Sequence, residues 1–185
     1  VIDNLLMFYG MATNMELSQV DWYRQAHEEC RYAATRCGVD FKTFVWVVAV
    51  LSPLTRWEQN ISIAEEMVRH GRCRIAFSAN QEKARRILAG DLGALRGPKV
   101  TRFAWSLYDP HNTERVVVVD TWAIRAWEGR VRGPVNCSRY KYHRIAQGYR
   151  EAAALVGMEP AAFQAVVWSV VRNLSRRSGQ LMLDI

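Results

Sequence analysis

No stretch of this sequence stays apolar for the roughly 20 residues that a bilayer-spanning helix needs. The one apolar segment near its start, Leu5 to Ala12, follows Asp3 and carries no basic leader. Neither secretion nor a membrane partner is expected, and the reading is a cytoplasmic protein. Cysteine is sparse: Cys30, Cys37, Cys73 and Cys137 are scattered and form no Cys-x-x-Cys. That argues against both a structural zinc site and a dense disulfide framework. His27, His70, His111 and His143 have no ligand spacing, so no metal and no cofactor is expected. Internal repeats and low-complexity tracts are also lacking, which removes solenoids and disordered arrays from consideration.

What is present is half apolar by residue over a length of 185, enough to bury one core and short for two independent domains. The expectation is one domain over 1–185. Lys and Arg outnumber Asp and Glu by 25 to 18, a net charge of +7, which suits an anionic partner such as a phosphate backbone. Two groups of cations, Arg69, Arg72, Arg74, Lys83, Arg85 and Arg86, then Arg130, Arg132, Arg139, Lys141 and Arg144, are candidates to track phosphates.

Apolar spacing of three and four predicts an amphipathic helix from Val20 to Cys37, stopped by Gly38. Phe41 to Leu51 is apolar nearly all round, with Asp40 as N-cap and Ser52-Pro53 after it. It reads as a buried helix, with a buried strand as its competitor. Further helices are predicted from Trp57 to His70 before Gly71, from a Ser78/Gln81 capping box to Gly90, and from Pro98 to Asp109-Pro110. Arg115 to Val119 reads as extended, and Asp120 as the cap of a helix through Ala126. Ser138 to Val156, stopped by Gly157, and Pro160 to about Leu174 complete a mainly α architecture, with a frayed tail beyond.

Three segments in order carry a resemblance: LSPLTRWEQNISIA (Leu51 to Ala64), LRGPKVTRFAWSL (Leu95 to Leu107) and VVVDTWAIRAW (Val117 to Trp127). Together they resemble the helix-hairpin-helix DNA glycosylase superfamily, the group containing endonuclease III and the 8-oxoguanine glycosylases. The resemblance implies a compact multi-helix glycosylase-like domain whose helix-hairpin-helix element lies at about 90–108. It also implies a DNA partner, double-stranded with one base flipped out. G-P-K-V is similar to the family's glycine-to-lysine turn and V-D-T-W-A to its aspartate stretch, which makes Lys99 and Asp120 the candidate catalytic residues. Gly97, Val100 and Arg96 at the hairpin, with Arg56 and Gln59 in the loop that relatives aim at the base, are the candidate DNA contacts. The turn L-G-A-L-R-G-P-K departs from the family's L-P-G-x-G, and Trp122 stands where a histidine is common. Only Cys137 follows Asp120, so the iron–sulfur cluster of the endonuclease III branch is excluded.

The chemistry of such a pair is independent of the family. Removing a base from its sugar develops positive charge on the ribosyl carbon, which a carboxylate stabilises while orienting a nucleophile. A neutral lysine amine could instead displace the base, form a Schiff base and open the route to β-elimination. Each residue also has an ordinary role, Lys99 as a solvated charge and Asp120 as a helix cap worth about 1 kcal/mol. Two other functions fit the same residues: modification of a base without its excision, as in the phage-associated thymine-hypermodification branch, and noncatalytic nucleic-acid binding.

Overall fold

The computed structural model describes residues 2–74, 77–112 and 116–180. Among them ten α-helices follow in order: α1 (Ile2–Gly10), α2 (Asn14–Leu17), α3 (Trp22–Cys37), α4 (Phe41–Leu51), α5 (Trp57–His70), α6 (Ser78–Leu88), α7 (Pro98–Tyr108), α8 (Thr121–Trp127), α9 (Arg139–Leu155) and α10 (Pro160–Gln180). Short 3-10 turns occupy Ser18–Asp21 and Leu92–Ala94, and the described residues contain no β-strand. No single described helix is long and apolar enough to cross a membrane. The chain divides into two compact units, one of Val1–Tyr23 with Thr113–Ile185 and one of Arg24–Asn112.

The second unit is built on α4. Every residue from Phe44 to Leu51 is buried, so the helix is surrounded rather than one-faced, and α5, α6 and α7 all pack on it. Its eleven residues make a helix despite four valines because the start is capped: Asp40 accepts from the Thr43 backbone N–H at 2.9 Å and from the Thr43 hydroxyl at 3.1 Å. Full burial of a Val, Leu or Phe side chain contributes about 1.5–3 kcal/mol each, which outweighs the small helix penalty of β-branching. Gly71 ends α5 in the left-handed conformation at φ 66°, as its position after His70 predicts. α6 starts one residue earlier than the capping-box reading requires. Ser78 is already inside the helix, Phe77 holds the cap position, and the Gln81 side chain accepts instead from the Cys73 N–H at 3.3 Å. A nine-residue connection, 89–97, containing the Leu92–Ala94 turn, joins α6 to α7.

The first unit is built on α10, which packs against α1, α2, α8 and α9. Phe163, Val166, Val167, Val170 and Val171 form its buried stripe. The sequence reading ends this helix near Leu174, but it runs on to Gln180, with neither glycine nor proline in the four residues after Leu174 to stop it there. The tail at 181–185 and Arg115 lie outside the described residues. A clasp unforeseen in the sequence ties α2 to α10. The buried Glu16 carboxylate accepts from the backbone N–H and hydroxyl of Thr13 and from Asn173 Nδ2 at 2.8 Å. Those bonds hold it ionised: the Thr13 and Asn173 hydrogen bonds lower its pKa to about 2, against the upward push of burial. α8 meets α9 where Gly148 has no side chain, and the Trp127 indole fills the space.

Candidate active site

Asp120 sits at the end of a segment that forms neither helix nor strand. Val116 to Val119 are all buried, so their backbone groups need partners that water cannot supply. α10 and α9 supply them. The Val118 N–H donates to Gln164 Oε1 at 2.9 Å and Gln164 Nε2 donates back to the Val118 carbonyl, so one side-chain amide replaces a neighbouring strand. The Val119 N–H donates to the Tyr142 hydroxyl at 3.2 Å. The Asp120 N–H turns back onto the Val118 carbonyl at 3.0 Å. Val117 adopts φ 80°, a region that costs a β-branched residue strain.

From there the carboxylate caps α8, with Oδ1 accepting from the Ala123 N–H at 2.9 Å, as the sequence predicts. Asp120 is half-buried. Near it lie two buried phenols, Tyr23 and Tyr149, whose pKa values are pushed up first by burial and then by the charge of Asp120. The Tyr149 hydroxyl has no hydrogen-bond partner among the described residues. The site therefore offers a carboxylate, pinned by a backbone N–H, near phenols that stay protonated. Trp122 stacks under the Arg125 guanidinium at 4.8 Å, which is itself held on the Gly133 carbonyl at 2.9 and 3.2 Å.

The other predicted residues belong to the second unit. Lys99 is exposed in the first turn of α7, behind Pro98 at the first helical position. Gly97 precedes them at φ 102°, where an L side chain would be strained. Arg96 is exposed and its Nε donates to the Gly93 carbonyl at 3.3 Å, and Val100 is half-buried. Arg56 and Gln59 are both exposed at the start of α5. Just before them Leu54 is 92 % exposed and left-handed at φ 63°. The two ends meet through Trp57, which abuts Phe103, one turn beyond Lys99, at 6.3 Å in an edge-on arrangement. The unit thus brings the 54–59 loop to α7, while Asp120 belongs to the first unit.

Residues 1–175 match the sequence model of a family of unknown function. The chain belongs to the DUF7178 family. No curated protein and no solved structure matches it.

In this DUF7178 chain most of the first cation group is already engaged. Arg69 pairs with Glu65 at 3.9 Å, Arg74 with Glu66 at 3.3 Å, Arg85 with Glu82 at 3.0 Å, and Arg86 with Asp91. In the second group Arg130 and Lys141 share Glu128, and Arg132 bonds the Ser175 carbonyl at 2.7 Å. Among the described residues no three His, Cys, Asp or Glu side chains converge as a metal site. An open groove of 710 Å³ runs along α3 and α5, lined by Glu28, Glu29, Tyr32, Trp57 and Glu58 among others, and none of the predicted site residues lines it. Sequence reasoning missed Gln164, Tyr142, Tyr149 and Tyr23. Gln164 had a signal, a lone amide on the otherwise apolar stripe of α10, and Tyr142 and Tyr149 lie two turns apart on one face of α9.

Proposed function

We propose that this chain is a DNA N-glycosylase that removes a base flipped out of the duplex, with Asp120 as its central group. The observation that carries the reading is the Asp120 carboxylate itself: half-buried, fixed on the Ala123 N–H, and attached to a backbone held by Gln164 and Tyr142. A fixed anion costs no reorganisation when positive charge develops beside it. As the N-glycosidic bond breaks, its electron pair leaves with the base. The Asp120 charge stabilises the sugar cation, and a water oxygen bonds the ribosyl carbon after losing its proton to the carboxylate.

The helix-hairpin-helix element is α6, the 89–97 connection and α7, which presents Arg96, Gly97, Lys99 and Val100 to the DNA backbone. Lys99 is exposed there without a hydrogen bond or ion pair to another described residue, which suits a phosphate contact. Arg56, Gln59 and the exposed Leu54 are the duplex contacts of the 54–59 loop, with Leu54 as an apolar wedge between base steps.

The test is base release from a panel of modified and mismatched duplexes, read by mass spectrometry. Asp120→Asn keeps a good helix cap, so it is expected to fold like the parent while losing about 10²–10⁴-fold in release rate. An Asn variant as active as the parent, or no free base from any duplex, sinks the reading. A modified base retained on its deoxyribose moves the chain to base modification. Borohydride trapping decides the lyase step separately: an adduct lost in Lys99→Gln adds it, and no adduct removes it.

A further inference from the structure

We propose that Gln164 is the positioning residue of this site, a two-pronged amide clamp that sets the direction of the Asp120 carboxylate. The inference rests on the glycosylase reading only for its kinetic consequence. Its geometry stands alone.

Gln164 is 3 % exposed on a helix face otherwise made of Phe163, Val166, Val167 and Val170. A buried amide costs stability unless both its oxygen and its NH₂ are bonded. Here both are used on a single residue, Val118, 46 positions away: its N–H donates to Oε1 and its carbonyl accepts from Nε2. That carbonyl also accepts from the Asp120 N–H at 3.0 Å. The clamp therefore holds the acceptor on which Asp120 turns. One residue before it is the left-handed Val117, a conformation that persists only where the surroundings over-determine it. On the other side, the fixed Asp120 backbone lets Oδ1 reach the Ala123 N–H at 2.9 Å. Removing the amide frees Val118, relaxes Val117 and lets Asp120 turn away from its cap. Gln164 is not proposed to touch the substrate.

The chemistry of the clamp supplies its own control. In Gln164→Glu the protonated acid keeps both prongs, since its carbonyl accepts from the Val118 N–H and its O–H donates to the Val118 carbonyl. The ionised form has acceptors only and faces that carbonyl with a charge. Burial raises the pKa of such a carboxyl. The variant should be parent-like below that pKa and lose the clamp above it.

Amide hydrogen exchange on the full chain reads the geometry without any substrate. Gln164→Ala is expected to speed exchange at Val118, Asp120 and Ala123 together by at least about tenfold, with α1 and α4 unchanged. Gln164→Glu should show the same pattern only at the higher pH. Faster exchange confined to Val118 overturns the proposal, because the clamp would then not reach the carboxylate. So does a loss of protection spread over the whole first unit in Gln164→Glu at every pH, which makes the residue a fold determinant only. With a substrate duplex, Gln164→Ala should lower kcat at least about tenfold with KM within about twofold. Unchanged kcat overturns the positioning role. If the parent releases no base at all, the glycosylase reading fails, and the exchange pattern still decides the clamp.

Discussion

Gly148→Ala adds one methyl group and tests how α8 is seated. An ideal Cβ at 148 falls 2.0 Å from Trp127 Cζ3, 2.7 Å from Cη2 and 3.1 Å from Cε3. Carbon atoms rest about 3.5–4.0 Å apart, so the indole must retreat by roughly 1.5–2 Å. It is not the flexible end of a long side chain. The Trp127 ring is planar, and the Trp127 carbonyl accepts from Asn4 Nδ2 at 2.9 Å, anchoring the end of α8 to α1. Overpacking of this kind costs about 3 kcal/mol at the upper end of its usual range. Replacing a mid-helix glycine by alanine offsets that by about 1 kcal/mol. The expected net loss is about 2 kcal/mol, or about 4–8 °C in Tm for a chain of this size. Chemical denaturation followed by tryptophan fluorescence measures it. The mechanism has a second signature. In a Trp127→Ala background the clash with the indole is gone, so the same substitution should stabilise by about 1 kcal/mol, and the two sites should couple by about 3 kcal/mol. A Gly148→Ala variant that melts at or above the parent refutes the close approach. A loss that persists without the Trp127 ring refutes its cause.

Acid titration tests the Glu16 clasp. Its pKa falls from an ordinary 4.5 in the unfolded chain to about 2 in the folded one, so its contribution is full above pH 4.5 and is lost as pH falls towards 2. Glu16→Gln should melt lower at pH 7 and lose less stability than the parent between pH 4.5 and 2; parallel curves would remove the clasp from the account. Leu54→Gly trades stability against function. Leu54 is 92 % exposed at φ 63°, so the glycine removes about 1–2 kcal/mol of left-handed strain against about 0.5–1 kcal/mol of added chain entropy. The variant should be as stable as the parent or slightly more so. It should also flip a 2-aminopurine reporter less, and unchanged reporter fluorescence would exclude the wedge.

The helix boundaries were legible wherever one residue makes the boundary. Asp40, Gly71, Pro98, Asp120, Ser138 and Gly157 each act through their own backbone or a partner three residues away. Ser78 misled by one position because Gln81, the other half of its capping box, bonds the Cys73 N–H instead, and the end of α10 was missed because nothing stops it at Leu174. Long-range partners were not legible. Asp120 reads as a cap from four residues of sequence, but its support comes from Tyr142 and Gln164, on helices that begin well after it. The ion pairs inside the first cation group are local: Glu82 and Asp91 lie three and five residues from their partners Arg85 and Arg86.

Four consecutive valines usually make a strand, but Val116 to Val119 form none, and Val117 is left-handed at φ 80°. Without a sheet to join, the segment is buried against helices, and its backbone bonds come from side chains that can each reach one place only. A strand ladder tolerates a slip by two residues, since every second position repeats the same pattern. Gln164 and Tyr142 do not repeat, so a slipped Val118 would lose both prongs of the amide at once. Register is thereby fixed to the residue, and Asp120 follows two positions later. The left-handed Val117 is the cost of that arrangement, about 1–3 kcal/mol by its class, retained at a place where glycine would sit without strain. Glycine would surrender a fully buried side chain worth about 1.5–3 kcal/mol. The two magnitudes nearly cancel, so stability alone selects neither residue. What valine adds is stiffness, and stiffness matters most where a carboxylate has to be held in one direction.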